Sequence, residues 1–275
     1  MGDKHRDRRN IVHVAVAPPK LLNAELLKRV APLLGKEPID IRLLLAGKIP
    51  RIIVSYPDPE AADSMARRLR DAGLSAFICN DSEIRNRPAR FRAHTARSDE
   101  RGVIFGDRLG GEFRVEACDA SLIIMGRIQR PTQEKIITPK MKLNVPATVL
   151  TGGIPIMRRV TKKDVKESFQ SEDFVRIYDR GSSDPRVEML QNHIDYNFLG
   201  PKLTPSAAAN LNIVVTKLLE WFPLAIFDKR LTGHFRTDVP TSGAEEALEI
   251  NCKLIYLCHL AIERMGSEKH FFSEN

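Results

Sequence analysis

Asn10–Ala17, NIVHVAVA, sets apolar β-branched residues at alternate positions and reads as a strand. Asn23 then offers a side-chain oxygen to cap a helix whose apolar residues Leu26, Leu27, Val30, Leu33 and Leu34 recur at helical spacing. Gly35 is available for the left-handed position that ends it. Pro38 suits a first helical turn, Ile39, Leu43 and Leu44 give a short stripe, and Gly47 stops it. Arg51–Tyr56, RIIVSY, is a second strand. Asp58 and Pro59 form another cap pair, Ala62, Met65, Ala66 and Leu69 face inward, and Gly73 precedes a third strand at Ser75–Cys79. Residues 10–80 are thus expected to form a β-α-α-β-α-β domain.

That order, with LLGKEPIDIRLLLAG at Leu33–Gly47 and ARRLRDAGLSAFI at Ala66–Ile78, resembles the C-terminal domain of the bacterial ribosomal stalk protein. More distantly it resembles the adaptor of the Clp protease. Both groups are non-catalytic docking modules, so the resemblance implies a binding role. The adaptor's Asn-Asp pair after the first strand is replaced here by Ala17, Pro18 and Pro19, so degron binding is not carried over.

The chain has 275 residues, 43% of them hydrophobic and 28% charged, and a formal net charge of +8. This is ordinary globular usage and suggests two or three compact units rather than a disordered or fibrous chain. Leu43–Ala46 and Leu122–Gly126 are too short to span a bilayer, and Leu254–Ile262 is interrupted by His259. No transmembrane segment is expected. The charged start MGDKHRDRRN has no apolar core of a signal peptide. Cys79, Cys118, Cys252 and Cys258 fit neither a disulfide framework nor a zinc ribbon. The expectation is a reduced, cytoplasmic protein.

Charge is unevenly placed. Residues 1–84 carry +3, 85–126 carry +2, 127–163 carry +8 and 164–275 carry −5. The central excess comes from Arg127, Arg130, Lys135, Lys140, Lys142, Arg158, Arg159, Lys162 and Lys163 against Glu134 alone. These nine residues are the candidate anion-binding site. The alternative is a surface that docks on the protein's own acidic C-terminal part.

Asp81–Arg87 reads as a linker. Beyond Pro88, short β-like runs follow at Phe91–Thr95, Gly102–Phe105, Glu112–Cys118, Leu122–Ile128, Glu134–Thr138, Ile154–Val160 and Phe174–Tyr178. Their spacing predicts a small antiparallel barrel or sandwich over 88–180. By strand count it resembles a pleckstrin-homology-like barrel. Gln129–Pro146, with Pro131, Pro139 and Pro146, reads as a basic loop at its rim. Phe and Tyr are absent from 127–163, so the stacking platforms of a single-strand nucleic-acid groove are missing.

Residues 184–266 read as a helical bundle or cap. One helix follows Asp184-Pro185 with Val187, Leu190, Ile194 and Phe198 on a face. A second follows Thr204-Pro205 with Leu211, Val214, Val215, Leu218, Leu219 and Phe222. A third after Ser242 carries Leu248, Ile250, Leu254, Ile255, Cys258 and Ile262. Trp221, His193 and His259 read as core or boundary residues. Asn251 is either a buried register device or the edge of the face.

Catalytic signals are absent. The sequence has no G-x-S-x-G, H-E-x-x-H or C-x-x-C, the Gly-Gly pairs at 110–111 and 152–153 lack the ending of a phosphate loop, and His193 with Asp195 point to different faces at helical spacing. The fold class expected is therefore α+β, in a non-catalytic interaction protein without cofactor or metal. Its anionic partner is an acidic protein, RNA or lipid headgroups, and its C-terminal helices serve packing or homo-oligomerisation. Two alternatives stand beside this: a structural subunit whose basic middle docks on its own acidic helices, and an enzyme with a site between barrel and helices.

Overall fold

Five consecutive buried residues make β1 (Val12–Val16) the centre of a three-stranded antiparallel sheet, flanked by β2 (Arg51–Tyr56) and β3 (Ala76–Asn80). The computed structural model describes residues 11–143, 152, 157–233 and 237–272, with side chains for 11–129, 152, 170–233 and 237–264. Helices α1 (Ala24–Leu34), α2 (Pro38–Leu45) and α3 (Pro59–Asp71) complete the expected β-α-α-β-α-β order. The expected caps form: Asn23 Oδ1 accepts from Leu26 N at 2.9 Å, Asp58 accepts from Glu60 N and Ala61 N, and Gly35 takes φ +60°.

The alternation in β1 divides two apolar layers rather than an inside from an outside. Val12, Val14 and Val16 pack with Leu26, Val30, Ala66 and Leu69 of the first three helices. Ala15 and Ala17, with Phe77 and Cys79, pack with Ile250, Leu254 and Cys258 of the C-terminal helix. His13, on this second face, is buried and held by Ser55 Oγ at 2.7 Å and Asp81 Oδ1 at 2.9 Å. The linker expected at 81–87 is instead the short helix α4 (Asp81–Arg85), because Asp81 is buried between His13 and Arg85.

The middle region forms open sheets, not a barrel. Strands β5 (Thr95–Ser98), β6 (Gly102–Gly106) and β7 (Glu112–Glu116) make an antiparallel meander. The second sheet is mixed, in the order β11-β8-β9-β10-β4, from β4 (Phe91–Ala93), β8 (Ala120–Leu143), β9 (Met157–Asp179), β10 (Val187–Leu190) and β11 (Ile226–Leu231). Parallel pairing of β11 with β8 and of β10 with β4 places strands from the C-terminal third inside this sheet. The short runs read separately at Leu122–Ile128 and Glu134–Thr138 are one strand, and Phe174–Tyr178 is the end of another.

Only two α-helices, not a three-helix bundle, follow residue 184 among the described residues: α5 (Ala207–Trp221) and α6 (Ala244–Phe272). The segment after Asp184-Pro185 pairs as β10, with all four residues buried, and then runs through 3-10 turns at Gln191–His193 and Tyr196–Lys202. Hydrogen-bonded neighbours on both sides, β9 and β4, pair its backbone, and the sheet buries all four side chains where a helix with one apolar stripe would bury only part of them. The expected stripe of α5 is buried except for half-buried Leu219, with Trp221 partly covered and Lys217 Nζ 5.5 Å from its ring centre.

Alternation also divides the mixed sheet. Ile123, Met125, Val175 and Ile177 face α5, while Leu122, Ile124, Phe174 and Tyr178 face Leu248, Cys252, Ile255 and Tyr256 of α6. Helix α6 is therefore covered on two sides, by the mixed sheet and by the β1 sheet. Asn251 is buried and donates to the Ala247 carbonyl of its own helix. No helix among the described residues is long and apolar enough to cross a membrane. The chain divides into two compact units, residues 1–128 with 172–275, and residues 129–171.

Charged groups are buried where α6 meets the mixed sheet. Arg176, 2% exposed, reaches Glu249 with two hydrogen bonds at 2.6 and 3.0 Å and Glu188 with one at 2.9 Å. Arg90 adds a second pair to Glu249, at 2.7 and 3.2 Å. Lys253 Nζ lies 2.7 Å from Asp184 and donates to the Glu83 carbonyl. Removing one member of such a cluster strands the others in a dry environment. Arg176→Met is expected to lower the unfolding free energy by about 3–5 kcal/mol, read by urea denaturation. Burial alone would raise the Glu249 carboxyl, but Arg176 and Arg90 outweigh it and hold the group below its ordinary value. A depressed folded pKa contributes stability that is complete above the unfolded value of about 4.3 and is lost as pH falls below it. Acid titration of the urea midpoint should show this loss, and Glu249→Gln should flatten it.

Candidate functional site

The nine expected anion-binding residues fall on two strands. Arg127, Arg130, Lys135, Lys140 and Lys142 belong to β8, and Arg158, Arg159, Lys162 and Lys163 to β9. The segment expected as a basic loop is strand from Gln129 to Leu143. Pro131 and Pro139 lie within it, as a two-strand arrangement allows, since each strand keeps one unpaired edge where a missing N–H costs nothing. β8 and β9 are hydrogen-bonded neighbours. Among the described residues they are the only regular elements of the unit 129–171, which is accordingly read as a two-stranded ribbon. The side chains of Arg130, Lys135, Lys140, Lys142, Arg158, Arg159, Lys162 and Lys163 lie outside the described residues.

By sequence, 129–171 contains nine Lys and Arg against three Asp and Glu, hence +6 of the chain's +8, and Phe169 is its one aromatic residue. A strand sends successive side chains to opposite faces. The spacing by two or four in Lys140/Lys142, Arg158/Lys162 and Arg159/Lys163 therefore repeats basic positions along each strand rather than clustering them at one point.

Before the ribbon begins, the two strands are fixed by packing. A Cβ at Gly126 would lie 2.5 Å from Phe174 Cζ and 2.9 Å from Leu231 Cβ, so only glycine lets these side chains close over β8. Ile128 and Phe174 are buried beneath α6. Next to them Arg127 is already committed: its Nε and Nη2 donate to the Asp173 carboxylate at 2.6 and 3.1 Å. That hydrogen bond raises the Arg127 guanidinium above its ordinary value. Its charge is neutralised within the chain, which leaves eight of the nine expected cations on the ribbon proper.

Other chemistry read from the sequence is spent locally. Asp195 Oδ1 accepts from Asn197 N, and the Tyr196 hydroxyl donates to the Gln191 carbonyl, so neither forms a hydrogen bond with His193. His259 is bound to a buried carboxylate, a pairing that the sequence did not suggest. Its Nε2 is 2.9 Å from Asp228, which Arg230 also engages with its Nε at 2.8 Å. Burial would raise Asp228, but hydrogen bonds from His259 and Arg230 hold it well below the usual carboxylate range. Arg230 Nη1 also donates to the Lys48 carbonyl, tying β11 to the N-terminal domain. The cysteines are free, and Cys79, Cys252 and Cys258 are buried, where burial pushes their thiols up to about 12, 11 and 11. Among the described residues no cluster of His, Cys, Asp and Glu has the makings of a metal site. Compared with known proteins, the chain matches no family model, no curated protein and no solved structure.

Proposed function

We propose that the protein is a non-catalytic cytoplasmic binding protein whose basic ribbon engages an anionic macromolecule, and that double-helical nucleic acid is the partner its chemistry fits best. The observation that carries this reading is the concentration of nine Lys and Arg, the eight expected ones and Lys166, on the ribbon portions of two adjacent strands. Two strands about 4.8 Å apart fit a major groove about 12 Å wide. Residues 130–143 span about 45 Å as a strand, more than one helical turn of about 34 Å. Lys and Arg reach phosphates as point charges and need no stacking. With Phe169 as its one ring, the ribbon is suited to a duplex backbone rather than to splayed single-strand bases. The β-α-α-β-α-β domain would then serve as the docking module for a protein partner, as its resemblance to docking domains implies.

A second reading has its own support. Between the strands, Asn144–Ile156 (NVPATVLTGGIPI) carries no charge and five Val, Leu and Ile residues. A basic ribbon flanking an apolar connection also suits an anionic lipid surface.

Fluorescence anisotropy with duplex RNA, duplex DNA and single strands, beside flotation with phosphatidylserine vesicles, tests both. Duplex binding is expected to weaken by about 10²–10³ between 50 and 200 mM salt if about five phosphates are contacted. Changing Arg158, Arg159, Lys162 and Lys163 to Glu should reduce affinity about a hundredfold or more, whereas Asp173→Asn, which releases Arg127, should raise it a few fold. Flotation without duplex binding would establish the lipid reading instead. Absence of both at low salt would overturn the basic ribbon as a site.

A further inference from the structure

A cleft of about 390 Å³ in the larger unit lies where the edge strand β4, the β6–β7 turn and the segment after β10 meet. Its wall carries Arg90, Arg92, His94, Arg108 and His193, against only Asp107 and Glu188. The acidic groups and one of the cations are already committed. Asp107 Oδ1 accepts from Leu109 N and Gly111 N at 2.8 and 2.7 Å and shapes the turn. Glu188 and Arg90 belong to the buried cluster around Arg176.

What remains uncommitted is cationic. Arg108 has neither an ion pair nor a side-chain hydrogen bond among the described residues. Arg92 is 73% exposed and only 3.6 Å from the shared Glu188, a loose contact beside that carboxylate's bond to Arg176. His94 binds the His193 carbonyl through Nδ1, so that nitrogen carries the proton and Nε2 is left for another partner. Apolar surface adjoins these groups. Phe91, stacked on Phe113 with centroids 5.5 Å apart, lines the cleft, and Leu109 stands at its lip 96% exposed. Leu109 is therefore placed to extend the apolar surface of Phe91, beside the cation of Arg108.

We infer that this cleft binds a small anionic ligand, a phosphate monoester or carboxylate attached to a compact apolar group. Arg92 and Arg108 hold the anion, His94 donates a further bond when protonated, and Phe91 and Leu109 cover the apolar part. The site is separate from the basic ribbon, and all of its residues lie outside 129–171.

The test is an amide-resolved NMR titration of the full chain at low salt with phenyl phosphate, phenylacetate and inorganic phosphate. Saturable shifts confined to residues 90–94, 107–111 and 188–193 are expected. The exposed pair Arg92→Ala with Arg108→Ala should weaken binding about tenfold or more without unfolding the chain. Leu109→Ser should weaken the phenyl compounds and leave inorganic phosphate unchanged, which separates the apolar contact from the ionic one. Stronger binding of phenyl phosphate than of phenylacetate assigns a phosphate ligand, and the reverse assigns a carboxylate. Shifts confined to 129–171, no saturation with any of the three probes, or equal affinity in the double arginine variant would overturn the site.

Discussion

The ion cluster of Arg176, Glu249, Glu188 and Arg90 is the constraint around which the larger unit is arranged. It joins β9, β10, the approach to β4 and helix α6 at one point from which water is excluded. Apolar packing alone would let α6 slide or rotate between its two sheets, since aliphatic contacts are tolerant of register. A carboxylate that must meet two guanidinium groups is not tolerant, because any shift of a turn leaves charge without a partner in a low-dielectric interior. Lys253 with Asp184 and Glu83 repeats this device one turn along. Charged residues at 249 and 253 thus interrupt an otherwise apolar helix for a positional reason.

Local information governed what was legible in the sequence. The N-terminal domain could be read because each helix starts and ends on its own signals, Asn23, Gly35, Pro38 and Asp58, and because the strands lie between them. The segment around Val187 was read as a helix for the same reason, a cap pair followed by helically spaced residues. There the outcome was decided by distant strands, β9 and β4, that no local pattern announces. β11 escaped notice because IFDKRL alternates poorly and draws its stability from parallel pairing with a strand a hundred residues earlier. The prolines at 131 and 139 suggested a loop, which is the right inference for a central strand and the wrong one for a ribbon with free edges.

The candidate sites show the same division. The basic residues were visible by counting alone, and topology then placed them on two neighbouring strands. The commitment of Arg127 to Asp173, the binding of His259 by Asp228 and the gathering of Arg92 and His94 with Arg108 around one cleft join residues from 14 to 46 positions apart. No spacing rule covers such pairs.

Glycine at position 126 also sets the phase of β8 inside the packed sheet. Because Phe174 and Leu231 close over Gly126, Leu122 and Ile124 face one apolar layer and Ile123 and Met125 the other. An insertion or deletion of one residue between Leu122 and Gly126 would exchange those two layers, while a change of two would preserve them. Variation in the length of this part of β8 is therefore expected to come in even steps.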